Sequence, residues 1–221
     1  MPGAFAARKR GWLVVLLVVA SCAARPPRDS RTTRPPDLVE LETIDPTILT
    51  DVRYATAANF VGRPVYPEAR VFLQRPVAEA LGRVQQRLVP LGYGLVVFDG
   101  YRPWSVTKLF WDLMPPAKRQ FVADPRQGSR HNRGCAVDVS LVASATRDEV
   151  SMPSGYDEMT ERAYVGYGGG SDEARRHRDL LRAAMEAEGF RVYPPEWWHY
   201  DFTGWEAYPV LDLSFREIVA P

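Results

Sequence analysis

The sequence predicts an α+β fold around a mostly antiparallel central sheet flanked by helices. Three observations predict it. Helical and strand patterns alternate without the regular βαβ rhythm of a parallel sheet. Charged residues make up 25% and the hydrophobic set 46%, as in folded soluble proteins and unlike disordered chains. The 221 residues carry no internal repeat and, past the N-terminal stretch, no second shift in composition, which fits one domain. A domain of this size buries roughly 70% of its extended surface and needs no disulfide to hold a core.

The elements follow in order. Val77, Ala80, Leu81, Val84 and Leu88 recur at helical spacing, and Gly92 stops that helix. Tyr93 to Phe98 is a β-branched and aromatic run, read as a strand closed by the Asp99-Gly100 turn. Val106 to Leu113 reads as a helix opening after Pro103, and Ala136 to Leu141 as an alternating strand. Gly166, Gly168, Gly169 and Gly170 read as a mobile connector, since no Lys-Ser/Thr follows to make a phosphate loop. Ser171 followed by Asp172 and Glu173 marks the start of a helix running toward Gly189. His199 to Phe202 reads as a further strand.

The N-terminus reads as an export signal. Arg8, Lys9 and Arg10 form a basic start, and Trp12 to Ala20 an uncharged apolar stretch. That stretch is too short to span a bilayer, which takes about 20 apolar residues. It ends in Val19-Ala20-Ser21-Cys22, which resembles the lipobox of bacterial lipoprotein signals, where the cysteine becomes the lipidated N-terminus. The expected organisation is a lipoprotein-type signal peptide over 1–21, a flexible tether over 22–37 and one folded domain over 38–221. The protein is then exported, facing the periplasm or cell exterior, and meets the membrane only through an N-terminal lipid on Cys22. With Cys22 lipidated, Cys135 has no disulfide partner and is expected to be a small buried residue.

Charge and cysteine count remove other classes. A net charge of +1, from 28 basic and 27 acidic residues, gives no basic face for nucleic acid. Two cysteines exclude a disulfide scaffold and a four-cysteine metal site. The three histidines are therefore informative. His131 and Asp138 stand seven apart with Gly134 between them, so a loop entering a strand can aim both at one point. His199 supplies a third ligand type from a distant segment, and an open position would remain for water. Glu196 precedes His199 by three residues, which in a regular strand puts them on opposite faces. Pro194 and Pro195 disfavour a regular element there, so a bend is expected to bring that carboxylate beside the centre without ligating it. His177, among arginines on a helix, reads as solvated or at a boundary. Spacing alone supports a metal site only weakly, because a His and an Asp so spaced are more often surface or capping residues.

At these residues the sequence resembles a known family. Ser129-x-His131-x-x-Gly134-x-Ala136-x-Asp138 and Glu196-Trp197-Trp198-His199-Tyr200 are similar to the paired zinc motifs of the D-alanyl-D-alanine dipeptidases, the VanX-like zinc D,D-peptidases of peptidase family M15. Tyr54-Ala55-Thr56-x-x-Asn59-Phe60-x-Gly62-x-Pro64-Val65 resembles that family's N-terminal signature, and Asp99-Gly100-Tyr101-Arg102-Pro103 its central strand and arginine. The similarity runs from about residue 40 to near the C-terminus, with the motifs in family order. It implies the Hedgehog/DD-peptidase-like zinc fold and one zinc ion per subunit. It further implies His131, Asp138 and His199 as zinc ligands, Glu196 as catalytic base and Arg102 as the transition-state arginine. Ser129 is implied to touch substrate, and Asp157 and Tyr54 to hold the substrate's ammonium. The chain departs from the pattern at Cys135, where a serine or another small residue is usual.

The function so implied is zinc-dependent hydrolysis of D-Ala-D-Ala, a small dipeptide, in cell-wall peptide turnover. Two other readings stand beside it: a D,D-carboxypeptidase trimming longer wall peptides, and a non-catalytic zinc or wall-binding module. An ammonium anchor favours the dipeptidase over the first, and Glu196 with Arg102 favours it over the second.

Overall fold

The computed structural model describes residues 25–219; the expected signal peptide and Cys22 lie outside the described residues. In chain order the elements are β1 (Leu38–Glu40), β2 (Leu49–Thr50), β3 (Phe72–Gln74), α1 (Arg75–Leu88), β4 (Tyr93–Asp99), α2 (Trp104–Leu113), β5 (Ala136–Ala143), α3 (Asp172–Glu186), β6 (Phe190–Tyr193), β7 (Glu196–Phe202) and α4 (Phe215–Val219). The main sheet has the order β2-β4-β5-β7-β6. Only β2 and β4 run parallel; the remaining pairs of this sheet are antiparallel. β1 and β3 form a separate antiparallel pair. The fold is therefore α+β with a mostly antiparallel sheet, as the irregular rhythm of the sequence indicates.

One face of the sheet is covered by helices, because α1 and α3 pack on each other and on β4 and β5. The apolar residues of α1 at helical spacing, Val77, Leu81, Val84 and Leu88, are fully buried there. α1 starts at Arg75, two residues before its first apolar position, with Pro76 in its first turn, where the missing N–H has no intrahelical acceptor anyway. Gly92, at φ 85°, turns the chain into β4. β5 was expected to alternate, yet every residue from Ala136 to Val142 is buried. The reason is its central position: β4 and β7 flank it, the helices cover one face, and the functional cavity and its aromatic wall cover the other. Phe98 and Tyr156, stacked at 4.5 Å, pack behind the cavity, where the Tyr156 hydroxyl meets Asp138.

Local details depart from the sequence reading in four places. β7 begins at Glu196, not His199, because Pro194 and Pro195 form the turn of a β6–β7 hairpin. Of the two readings of His177 the boundary one holds and the solvated one does not: it is 8% exposed, bonded through Nδ1 to the Ser151 carbonyl at 2.9 Å and through Nε2 to the Tyr93 hydroxyl at 3.3 Å. The glycine loop is clasped, since Arg175 Nη1 donates to the carbonyls of Gly168, Gly169 and Gly170. The segment expected as a free tether lies on the domain from Asp29 onward. Arg133 is 3% exposed, and Asp29 meets its Nη2 at 2.9 Å, while Thr33 and Arg34 both donate to the Ala207 carbonyl. A buried guanidinium needs a partner, and this segment supplies it.

The loop before β5 depends on Gly134. Its φ is 65°, and a Cβ there would stand 2.5 Å from Leu38 Cδ2 and 3.2 Å from the Gln74 backbone nitrogen. Gly134→Ala therefore combines a left-handed backbone with a clash against β1 and β3. We expect it to cost about 2 kcal/mol or more of stability, read as a lowered denaturation midpoint at unchanged m-value. A midpoint equal to wild type contradicts that packing argument.

Candidate active site

At least five stretches of chain converge on one cavity, which is lined by Tyr54, Arg102, His131, Asp138, Asp157 and Glu196 among others. β5 and β7 bring two of the donors together directly: Asp138 pairs with His199 in register and both face the cavity. His131 enters from the 3-10 turn His131–Arg133. That turn is tied at both ends. Arg102 N donates to the His131 carbonyl at 3.1 Å, and Asn132 Nδ2 donates to the Arg102 carbonyl and to Thr107 Oγ1, each at 2.8 Å.

The donor atoms meet closely. His131 Nε2 lies 3.1 Å from His199 Nδ1 and 3.4 Å from Asp138 Oδ1, and His199 Nδ1 lies 3.0 Å from the same oxygen. Their partners fix the tautomers. His131 Nδ1 stands 2.7 Å from the Gly100 carbonyl, which can only accept, so Nδ1 carries the hydrogen. His199 Nε2 stands 3.0 Å from Asp201 Oδ1 and likewise donates. Burial opposes charge on His199, but its bonds to Asp138 and Asp201 outweigh it and push the imidazole up to about 10, so a proton relieves the set at neutral pH. When both rings are neutral, two nitrogen lone pairs and a carboxylate oxygen point at one another. Such a set repels itself unless a cation sits between its members, and two imidazoles with one carboxylate suit a divalent transition metal. His131, Asp138 and His199 therefore fit a metal centre.

The surroundings shape this centre. Asp138 Oδ2 accepts from the Tyr156 hydroxyl at 3.0 Å. Burial opposes ionisation of Asp138, but His131 and His199 outweigh it and hold its carboxyl well below the usual range. Burial likewise opposes ionisation of Asp201, but the bond to His199 holds it low. Partners of this kind orient a ligating ring and raise its basicity; losing one typically costs 10–100-fold in metal affinity. Asp201, Tyr156 and Asn132 were missed in the sequence. For Asp201 the signal was present: it follows His199 by two residues, hence on the same face of a strand.

Glu196 reaches the centre because β7 is irregular. Tyr193 pairs with Glu196 while Val192 pairs with Tyr200, a register shift that cancels the opposite-face rule. Glu196 Oε2 comes to 3.9 Å of His199 Nδ1. Trp197 packs away, donating to Ser154 Oγ at 2.9 Å, and Trp198 lines the cavity. Burial pushes the Glu196 carboxyl up to about 7.

Arg102 is held by Asp99 at the end of β4, with Nε and Nη2 at 3.1 Å and 2.7 Å from Asp99 Oδ2. Asp99 Oδ1 accepts from Tyr66 at 2.9 Å. Burial works against the charge of Arg102, and Asp99 more than restores it. Asp157 has a positive φ of 58°, a conformation aspartate tolerates and functional sites often hold. It caps no helix; its Oδ2 accepts from Tyr54 at 2.7 Å, and burial pushes its carboxyl up to about 7. Ser129 lines the cavity, with Oγ accepting from His131 N at 3.2 Å. Cys135 is fully buried and unpaired among the described residues, and burial pushes its thiol up. Every site residue expected from the sequence within the described region thus lies at this cavity.

Comparison with known proteins gives the family. Residues 34–217 match the peptidase M15 family, described as D-ala-D-ala dipeptidase. A D-alanyl-D-alanine dipeptidase of Escherichia coli (strain K12) is 34% identical over 189 residues, covering 84% of this chain and 94% of that protein. One of Enterococcus faecalis (strain ATCC 700802 / V583) is 37% identical over 184 residues, covering 75% of this chain and 90% of that protein. A solved structure of VanYB in complex with D-alanine-D-alanine superposes with a TM-score of 0.41 at 19% identity, over 62% of this chain and 75% of that one. With the family matched over most of its length and two relatives above 30% identity, this chain belongs to the M15 metallopeptidases described as D-ala-D-ala dipeptidases.

Proposed function

We propose that this chain hydrolyses D-Ala-D-Ala to two molecules of D-alanine, using one zinc ion per subunit held by His131, Asp138 and His199. The observation that carries the reading is the convergence of those three donors beside Glu196, Arg102 and Asp157 in one cavity. Zinc bound there would polarise the scissile carbonyl and bring the pKa of a water toward about 7.

The chain's own groups supply the rest. Glu196, with its carboxyl raised to about 7, takes a proton from the attacking water and can deliver it to the leaving amine. Its height suits both directions of transfer near neutral pH. Water attack puts negative charge on the former carbonyl oxygen. Arg102 is always charged, and Asp99 fixes its plane through Nε and Nη2, which leaves Nη1 for that oxygen. Asp157, with the Tyr54 hydroxyl on one of its oxygens, offers the free oxygen to the substrate's ammonium. A charge anchor at this depth closes the amine end of the site, which excludes longer peptides and supports the dipeptidase over the carboxypeptidase reading. The Ser129 hydroxyl accepts from His131 N and keeps its own hydrogen for a substrate oxygen.

We also infer from the leader that the protein is exported and anchored through Cys22. Outside the cytoplasm the substrate is dipeptide released from the wall, so the role is turnover of wall fragments and recovery of D-alanine. The experiment is fractionation of cells carrying wild type and Cys22→Ala. Wild type is expected with membranes and the variant in the soluble exported fraction; unprocessed protein in the cytoplasm overturns the inference.

Hydrolysis is tested on purified protein with a panel of D,D- and L,L-dipeptides alongside metal analysis. Glu196→Gln is expected to keep its zinc and to lose roughly 10²–10⁴-fold in kcat for D-Ala-D-Ala. Alanine release by this variant at the wild-type rate rejects the assigned base. The ammonium anchor predicts a pH dependence. Asp157 holds a cation only when ionised, and its carboxyl protonates as pH falls through about 7. KM for free D-Ala-D-Ala should therefore rise on the acid side of neutrality, while N-acetyl-D-Ala-D-Ala should be a poor substrate at every pH. In Asp157→Asn the acid-side rise in KM should vanish at a uniformly high KM. Equal turnover of the blocked and free dipeptides sinks the anchor.

A further inference from the structure

We propose that Arg130 is a specificity-determining residue that binds the substrate's C-terminal carboxylate; the inference rests on the dipeptidase reading and deepens it. A free dipeptide carries a charge at each end, and the groups so far assigned include no cation for the carboxylate end. The cavity has two arginines among its described lining residues, Arg102 and Arg130. Arg102 is committed to Asp99 through two nitrogens and is deeply buried. Arg130 is different. Its side chain is 46% exposed, its Nε lies 3.4 Å from Asp201 Oδ2, and its terminal nitrogens make no hydrogen bond among the described residues. The paired donors that match a carboxylate are therefore free at the mouth of the cavity.

Its position fits that task. Asp157 joins the centre through Tyr54, over whose ring Arg102 sits at 5.4 Å. Arg130 reaches it through Asp201 and His199. The two charge anchors thus reach the three converging donors through different neighbours and line one cavity. Two extended residues span about 7 Å, so a dipeptide held in that cavity has one charged end for each anchor. Arg130 is also held in place. Its guanidinium lies 4.6 Å over the Trp205 ring, and Arg133 and Arg31 pack on the same indole at 5.0 Å and 5.3 Å. A stacked guanidinium loses little further freedom on binding, which favours a specific contact over a solvated surface charge.

The test compares D-Ala-D-Ala with D-Ala-D-alaninamide, which keeps the ammonium and scissile bond but lacks the terminal charge. Wild type, Arg130→Ala and Arg130→Lys are assayed on both substrates, with zinc content measured in each because Arg130 touches Asp201. Wild type is expected to prefer the acid about tenfold or more in kcat/KM, chiefly through KM. Arg130→Ala is expected to lose that preference by a raised KM for the acid, with the amide nearly unaffected; Arg130→Lys is expected to recover part of it. An active wild type whose acid-to-amide ratio survives in Arg130→Ala overturns the assignment of Arg130 alone, as does an equal loss on both substrates. A zinc-loaded wild type that cleaves neither overturns the dipeptidase reading and this inference with it.

Discussion

The structure depends on one electrostatic constraint: three electron-rich atoms, each aimed inward, brought within 3.4 Å of one another. A proton on His199 or a cation among the three relieves that crowding. Two partners maintain it by occupying the far nitrogen of each imidazole, the Gly100 carbonyl for His131 and the Asp201 carboxylate for His199. The partners differ in charge, so the two rings are not equivalent. His199, backed by a full negative charge, is the stronger donor, while His131, backed by a peptide dipole, is the more rigid because its own carbonyl is bound as well. The strand order serves this constraint. β5 and β7 must be neighbours and antiparallel for Asp138 to face His199, and β4 must flank β5 for Gly100 to reach His131.

A second feature is the set of buried acids around that cluster. Glu196 and Asp157 are both raised by burial to about 7, whereas Asp138 and Asp201, bonded to imidazoles, are held low. Environment alone divides four carboxylates into two that stay charged and two that can change charge near neutrality. The division carries a stability consequence. A carboxyl whose pKa is higher in the fold than in the unfolded chain does not destabilise below its unfolded pKa. It destabilises increasingly as pH rises from its unfolded value to its folded value, and by a constant amount above that. Asp157 and Glu196 are therefore held ionised at some expense to the fold, which the metal cation and a bound ammonium would reduce.

Much of this was legible in the sequence, for identifiable reasons. The donor triad was legible through the resemblance to paired zinc motifs, while spacing supported it only weakly: Gly134 marks the turn after His131, and the apolar run from Ala136 marks the strand carrying Asp138. β4 and α1 were legible because their apolar patterns are long and uninterrupted. The register shift that brings Glu196 to the face of His199 was only half legible: the two prolines announced a break but not that it closes a hairpin. Packing of residues 29–34 onto the body was not legible, because a Pro- and Arg-rich composition says tether unless the buried Arg133 that needs Asp29 is already known. For His177 only the boundary half of the reading held, for a related reason. Arginine neighbours mark an exposed helix face, but at 3.6 residues per turn one position among them still turns inward.

The densest stretch of the chain is Asp99 to Arg102, where consecutive residues serve different ends because the backbone itself is used. Asp99 orients Arg102 and, through a register shift in β4, stands opposite Asp138. Gly100 lends its carbonyl to His131, and it can be nothing larger, since a Cβ would stand 2.8 Å from the Phe72 carbonyl oxygen. Tyr101 anchors the turn by exchanging hydrogen bonds with Leu213 through its hydroxyl. Arg102 faces the cavity while its peptide groups bind His131 and Asn132. A substitution at any of these four positions would therefore disturb the three converging donors and Arg102 together. In the proposed reaction, the group that polarises the carbonyl and the group that takes up its charge would be positioned by one turn of chain, because the links run through backbone atoms.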